Sequence, residues 1–200
     1  MKPLTVTQVT TLSEAALKNS RELVEDATLL LQNRRFPRAL SLAILASEEC
    51  GKVAYLAYVA DCLRTNQKVD WKDLETTLRT HPEKLLVASV LDAYLSQPRE
   101  GSIEDLHARM FDKSVPKLTN LGKLMGFYTD LDSAGSPRLP SHAISEEMAD
   151  MVVRGVTYHL EIFEDPGKAL PGLTPEQAVM WKDLPRGLGE LIAVNKRAST

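Results

Sequence analysis

The stretch Ser41–Ala60, SLAILASEECGKVAYLAYVA, constrains the fold more than any other part of the chain. Of its 20 residues, 17 are apolar or small; the other three are Glu48, Glu49 and Lys52, close to its middle. From Ala39 to Ala60 the run is long enough to cross a bilayer, for which about 20 residues are needed. Three charges near its centre would be costly in lipid, so a buried helix with no membrane contact is expected. Apolar residues fall on nearly every side of that helix, which places it at the centre of its domain. Gly51 weakens the helix by ~1 kcal/mol relative to alanine, and so marks a point where another element packs closely.

The rest of the composition fits that picture. A chain of 200 residues with 44% apolar composition has the size of one domain with a sizeable core, spanning 1–200. Its last part, 166–200, reads as an irregular extension with one short helix. The formal charge of −3 argues against a general basic coat for nucleic acid, and 6% aromatic residues are too few for a surface that stacks many bases. The first residues, MKPLTVTQVTTLSEAALK, lack the apolar core and cleavage site of a signal peptide, so a cytoplasmic location is expected. Cys50 and Cys62 lie on one predicted helix, ~18 Å apart by helical rise. They cannot bridge there and are read as reduced thiols.

Helical periodicity runs through most of the chain. Apolar residues recur at three- and four-residue steps from Thr11 to Asn33. The central helix follows from Pro37 to Arg64, with Pro37 suited to a first turn. Asp70 is placed to cap a short helix from Trp71 to Arg79. A third main helix is expected from Thr80 to Leu95, a helix start at Ser102, and another helical piece from Pro116 to Leu131. Asp132 to Ala143 is rich in Pro, Gly and Ser and reads as an exposed loop. Ser145, followed by acids in the first turn, opens a long helix to Asp165. Thr174 and Gln177 resemble a capping box that opens a short last helix. No strand-like alternation of useful length is present. The fold class is therefore all-α, a helical bundle of four or five main helices plus short extra helices.

The three central charges then need partners. Glu48 and Lys52 are four apart, share a face and are expected to pair, with Glu49 turned about 100° away. Such a pair among Leu45, Ala46, Val53 and Leu56 either fixes the register of the bundle or lines a polar pocket inside it. If the pair is buried, Lys52→Met should strand Glu48 and cost ~3–5 kcal/mol.

Arg35 to Leu56, RFPRALSLAILASEECGKVAYL, resembles the signature of the AbiV family of abortive-infection proteins. The matching residues are Ala43, Leu45, Ala46, Glu48, Glu49, Gly51 and Lys52, preceded by an aromatic residue and an arginine. A second segment, RTHPEKL, resembles a family step with His81 and Lys84. The resemblance implies a HEPN-like domain, an all-α bundle whose relatives often dimerise and act as metal-independent RNases. Those enzymes carry an Arg and a His, separated by four to six residues, on a late helix. The matching pair here is Arg154 and His159, in RGVTYH. The resemblance thus implies His159 as general base or acid at the ribose 2′-hydroxyl or the 5′-oxygen, and Arg154 as phosphate holder.

Positions five apart differ by about 140° around a helix. Arg154 and His159 therefore do not share a face, and a site composed from two copies would be needed to unite them. Tyr158 could add a hydroxyl or a stacking face. Relatives often place a polar residue directly after the arginine, where this chain has Gly155. The plainer possibility is a core histidine beside an arginine paired with Asp150 or Glu161. His81 and Lys84 are read as a helix start, or, with Arg79 and Lys52, as a phosphate-facing patch. Arg34, Arg35 and Arg38 either touch RNA or are solvated.

Two functions follow as expectations. The first is a dimeric, metal-independent HEPN endoribonuclease that arrests host translation, with RNA as substrate and a phage-encoded activator. The second is a HEPN-like interaction module that binds a phage or host protein and blocks translation by binding alone. No cofactor is expected. A weaker third reading is nucleotide binding near Glu49, Lys52 and His81.

Overall fold

A computed structural model of the chain describes residues 1–80, 84, 85, 88 and 114–164. These residues form six helices and one very short hairpin. The first helix, α1 (Val6–Gln32), begins earlier than its apolar periodicity suggests. Thr5 and Gln8 close a capping box: the Gln8 amide donates to Thr5 Oγ1 at 3.2 Å, and the Thr5 amide donates to Gln8 Oε1 at 2.9 Å. Two satisfied end groups outweigh the β-branched residues of the first turn, which disfavour helix only weakly.

The turn into the central helix, α2 (Phe36–Arg64), is tight. Arg34 sits at φ 58°. Its amide donates to Leu31 O at 3.0 Å and that of Arg35 to Leu30 O at 2.8 Å, a Schellman closure that satisfies the last carbonyls of α1. Asn66, at φ 55°, closes α2 in the same way. Asp70 caps α3 (Trp71–Arg79) as expected, its carboxylate accepting from the Lys72 and Asp73 amides at 3.0 Å each. Lys84, Leu85 and Ala88 are helical and lie within the expected third main helix. The rest of that helix, the start at Ser102 and the last helix at Thr174 lie outside the described residues.

The next helix, α4 (Ser114–Phe127), ends sooner than expected, because the chain turns into the strands β1 (Asp130–Leu131) and β2 (Pro137–Arg138). They pair antiparallel, with Asp130 opposite Arg138. The Asp132 carboxylate ties their connection by accepting from the Ala134 amide at 2.9 Å and the Ser136 amide at 2.8 Å. Strands of two residues are too short to leave an alternating pattern, so this segment reads as loop in the sequence. A single turn, α5 (Pro140–Ala143), leads to α6 (Glu146–Glu164), whose Met148 amide donates to the Ser145 side chain at 3.3 Å.

The apolar pattern explains the packing. α2 runs through the middle and meets α1, α4 and α6, while α1 also touches α6. Buried residues of α2 form three successive parts of the core. Near its end, Leu56 and Val59 pack with Val9 of α1 and Leu74 of α3. Ala43, Ala46 and Cys50 pack with Val24, Ala27, Val153 and Val156. Near its start, Leu40 and Ile44 meet Leu85, Ile144 and Ala149. The bundle is all-α in class, as the periodicity implies. Among the described residues no helix is long and apolar enough to cross a membrane.

Two glycines set the closest approaches. A Cβ on Gly51 would lie 2.3 Å from the backbone oxygen of Lys84, so α2 and the residue-84 helix touch nearly backbone to backbone. A Cβ on Gly126 would lie 2.4 Å from the backbone oxygen of Pro37, and the same holds for α4 against the start of α2. The close packing expected at Gly51 is thus present.

Candidate functional site

The three central charges of α2 separate into two groups. Glu48 is only 1% exposed. Its carboxylate receives Lys123 Nζ from α4 at 2.6 Å and Lys84 Nζ at 3.1 Å, and both lysines are themselves buried. Lys52 does not pair with Glu48, contrary to the spacing rule. It pairs with Glu49 at 2.5 Å, three residues back, at the margin of the core. The reason is geometric. The Glu48 face of α2 is covered by other helices, whose lysines arrive head-on. The long stem of Lys52 carries its ammonium outward instead, to where some water remains.

Buried charges of this kind need good geometry to offset their desolvation. Here α4 is fixed twice at one residue. Lys123 gives its ammonium to Glu48, and its carbonyl accepts from Ser41 Oγ at 2.8 Å. In sequence Lys123 looks like a surface lysine. The signal that could have marked it is Gly126, three residues on, which shares its face and shows that this face meets another backbone.

Two further polar groups are enclosed nearby. Ser20 Oγ donates to Ala46 O at 2.9 Å and lies 3.2 Å from Cys50 Sγ. Burial pushes the Cys50 thiol up to about 12, so it is not a nucleophile near neutral pH. The Tyr55 hydroxyl donates to Asp73 across the α2–α3 contact. Burial first, and the bond to Asp73 second, raise the Tyr55 phenol above its ordinary value. Cys50 and Cys62 are both free and buried.

The Arg–His pair lies on α6, and the two residues have different surroundings. The Arg154 guanidinium is 77% exposed and bonds Asp150 one turn earlier at 2.5 Å. His159 is 5% exposed and lies on the inner side of α6, between the core residues Val156 and Leu160 in sequence. Tyr158 is partly buried. The 140° offset is therefore realised within the fold, and one chain does not unite the pair. At Gly155 an added Cβ would meet nothing within 4 Å, so no described element packs closely there.

The proposed basic patch is not assembled in this form. Lys84 is turned to the interior and bound to Glu48, Lys52 is held by Glu49, and Arg79 bonds Glu75 at 3.0 Å on α3. His81 lies outside the described residues. Among the described residues no cluster of three or more His, Cys, Asp or Glu side chains could hold a metal ion.

A central apolar helix, a buried carboxylate gripped by lysines from two other segments, and a late helix carrying an Arg–His pair define an all-α protein of the HEPN class. The HEPN_AbiV family model, described as AbiV, matches residues 8–159. The chain belongs to that family and is an abortive-infection protein of HEPN type. No curated protein and no solved structure matches it.

Proposed function

We propose that this abortive-infection protein acts by binding a phage or host protein and blocking translation through that contact, without cutting RNA. One observation carries the reading: His159 is buried within its own chain, whereas Arg154 is exposed and held by Asp150. A general base must come within about 3 Å of the proton it takes. A second copy could bring its own Arg154, but it would still face an imidazole covered by the first copy's core. Glu48, Glu49 and Lys52 then serve the fold.

The rival reading, a dimeric metal-independent endoribonuclease, has one observation in its favour. Arg154 shares α6 with the exposed Met148 and Met151, a surface on which a second copy or an RNA could sit. The experiment that separates the two uses Arg154→Ala, a surface change that leaves the core intact. Wild type and variant are compared for phage protection in cells. Total RNA from infected-cell extracts in EDTA is mapped for new 2′,3′-cyclic phosphate ends. Binding predicts equal protection and no difference in RNA ends. Ends made only by the wild type, with protection lost in the variant, would replace this proposal with the endoribonuclease.

A further inference from the structure

The turn from α1 into α2 gathers charge of one sign. Arg34, Arg35 and Arg38 follow one another closely, and no Asp or Glu stands between Asp26 and Glu48. All three arginines are exposed. Arg21, Arg79 and Arg154 each bond a surface carboxylate, but among the described residues no acid pairs with Arg34, Arg35 or Arg38. A chain whose formal charge is −3 thus keeps three guanidinium groups together at one corner.

The backbone that carries them is fixed and, at one point, strained. Asn33 donates its amide to Leu29 O at 3.1 Å and its side-chain Nδ2 to the same oxygen at 2.8 Å. Pro37 locks the first turn of α2 on the other side. Between them Arg34 stands in the left-handed region at φ 58°, where a side chain is disfavoured and glycine or asparagine is usual. Its guanidinium makes no hydrogen bond among the described residues, so nothing there offsets the strain. Strain kept without an internal return points to a side chain used on something outside the chain. A turn already held in place also loses little freedom on binding.

The surroundings indicate what that something is. Leu29, just before the turn, is 58% exposed. Phe127, 40% exposed, follows Gly126, whose backbone lies against that of Pro37. Arginines beside exposed aromatic and aliphatic side chains are the composition of the energetic centre of a protein interface. A nucleic-acid strand, charged along its whole length, needs a positive track rather than one corner. Three forked guanidinium groups on a fixed turn instead match a short run of carboxylates, each able to accept two parallel hydrogen bonds.

We propose that the corner formed by Arg34, Arg35 and Arg38 grips the partner protein, and that the partner presents an acidic segment with apolar residues among its carboxylates. The inference rests on the binding reading given above, and supplies the surface and the chemistry of the contact. It uses neither residue of the Arg–His pair.

The test uses the full chain, with circular dichroism and thermal melting to confirm folding. Arg34→Gly relieves the strained turn and should melt no lower than the wild type, so lost function in it is not lost fold. Cells carrying Arg34→Gly together with Arg38→Glu should lose phage protection. Arg64→Ala, an exposed arginine at the other end of α2, should keep it. A labelled Glu-rich peptide containing leucines should bind the purified wild type, with an affinity that falls steeply with salt. It should bind the double variant about tenfold more weakly. A single-stranded RNA of equal charge should bind the wild type less tightly than the peptide. Protection that survives the double variant would overturn the proposal, as would peptide binding that is absent or equal in both proteins. RNA bound more tightly than the peptide, and lost in the variant, would make the corner a nucleic-acid site instead. Failure of the binding reading itself shows elsewhere, as RNA ends made by the wild type and not by Arg154→Ala.

Discussion

Glu48 and Lys52 show how far a spacing rule reaches. An (i, i+4) acid–base pair is a reliable neighbour relation only where nothing else competes for the charges. In α2 the Glu48 carboxylate is enclosed and meets Lys84 and Lys123, while Lys52 turns to Glu49. The stability effects follow that division. Glu48→Ala leaves two buried ammonium groups facing each other and should cost ~3–5 kcal/mol. Lys52→Met breaks a pair at the solvent margin and should cost under ~1 kcal/mol. Denaturant unfolding of the two variants measures the difference; equal losses would refute it. The Cys50 thiol adds a pH dependence. Its ordinary value of 9.0 rises to about 12 on burial, so the folded state keeps a proton that the unfolded state releases. That stability is complete below pH 9 and is lost between pH 9 and about 12. The slope is at most ~1.4 kcal/mol per pH unit for one proton. Tyr55 acts in the same direction from its own, higher ordinary value. Cys50→Ala should therefore flatten the first part of the alkaline decline, read as stability against pH from 8 to 10; an unchanged slope would mean the thiol already ionises in the fold.

Two helix starts are legible from the side chain that makes the cap. Asp70 and Ser145 both stand where the sequence places them, because an oxygen beside free amides is a local interaction that tertiary packing rarely undoes. The start of α1 was missed although Thr5 and Gln8 spell a capping box, since the apolar period begins only further on. The end of α1 carries no such signal. It closes on Arg34 in the left-handed region, where a side chain costs about 1–2 kcal/mol and glycine or asparagine is the usual choice. Arg34→Gly should thus raise stability by about 1 kcal/mol; a lower melting temperature would show that the arginine side chain makes a compensating contact.

At the scale of the whole chain, the class of fold was readable from periodicity, and the central place of α2 from its lack of a polar side. Partner choice across the core was not readable. Gly126 hints that the face carrying Lys123 is covered, but nothing local names Glu48 as its partner, and nothing local says that Lys84 points inward. Those facts exist only once three distant parts of the chain meet. Their meeting has a consequence for the order of folding. Glu48 and Lys123 lie 75 residues apart, and until both lysines arrive the carboxylate is better left in water than enclosed. The clamp should then close late, after α1 and α2 have paired, and be absent from the rate-limiting barrier. Lys123→Met should speed unfolding in a chevron experiment while leaving the refolding rate almost unchanged. A slower refolding limb would place the clamp in the nucleus instead. If it does close last, the most buried charge among the described residues acts as a check on completion, sealing the interior only when every helix it touches is already in place.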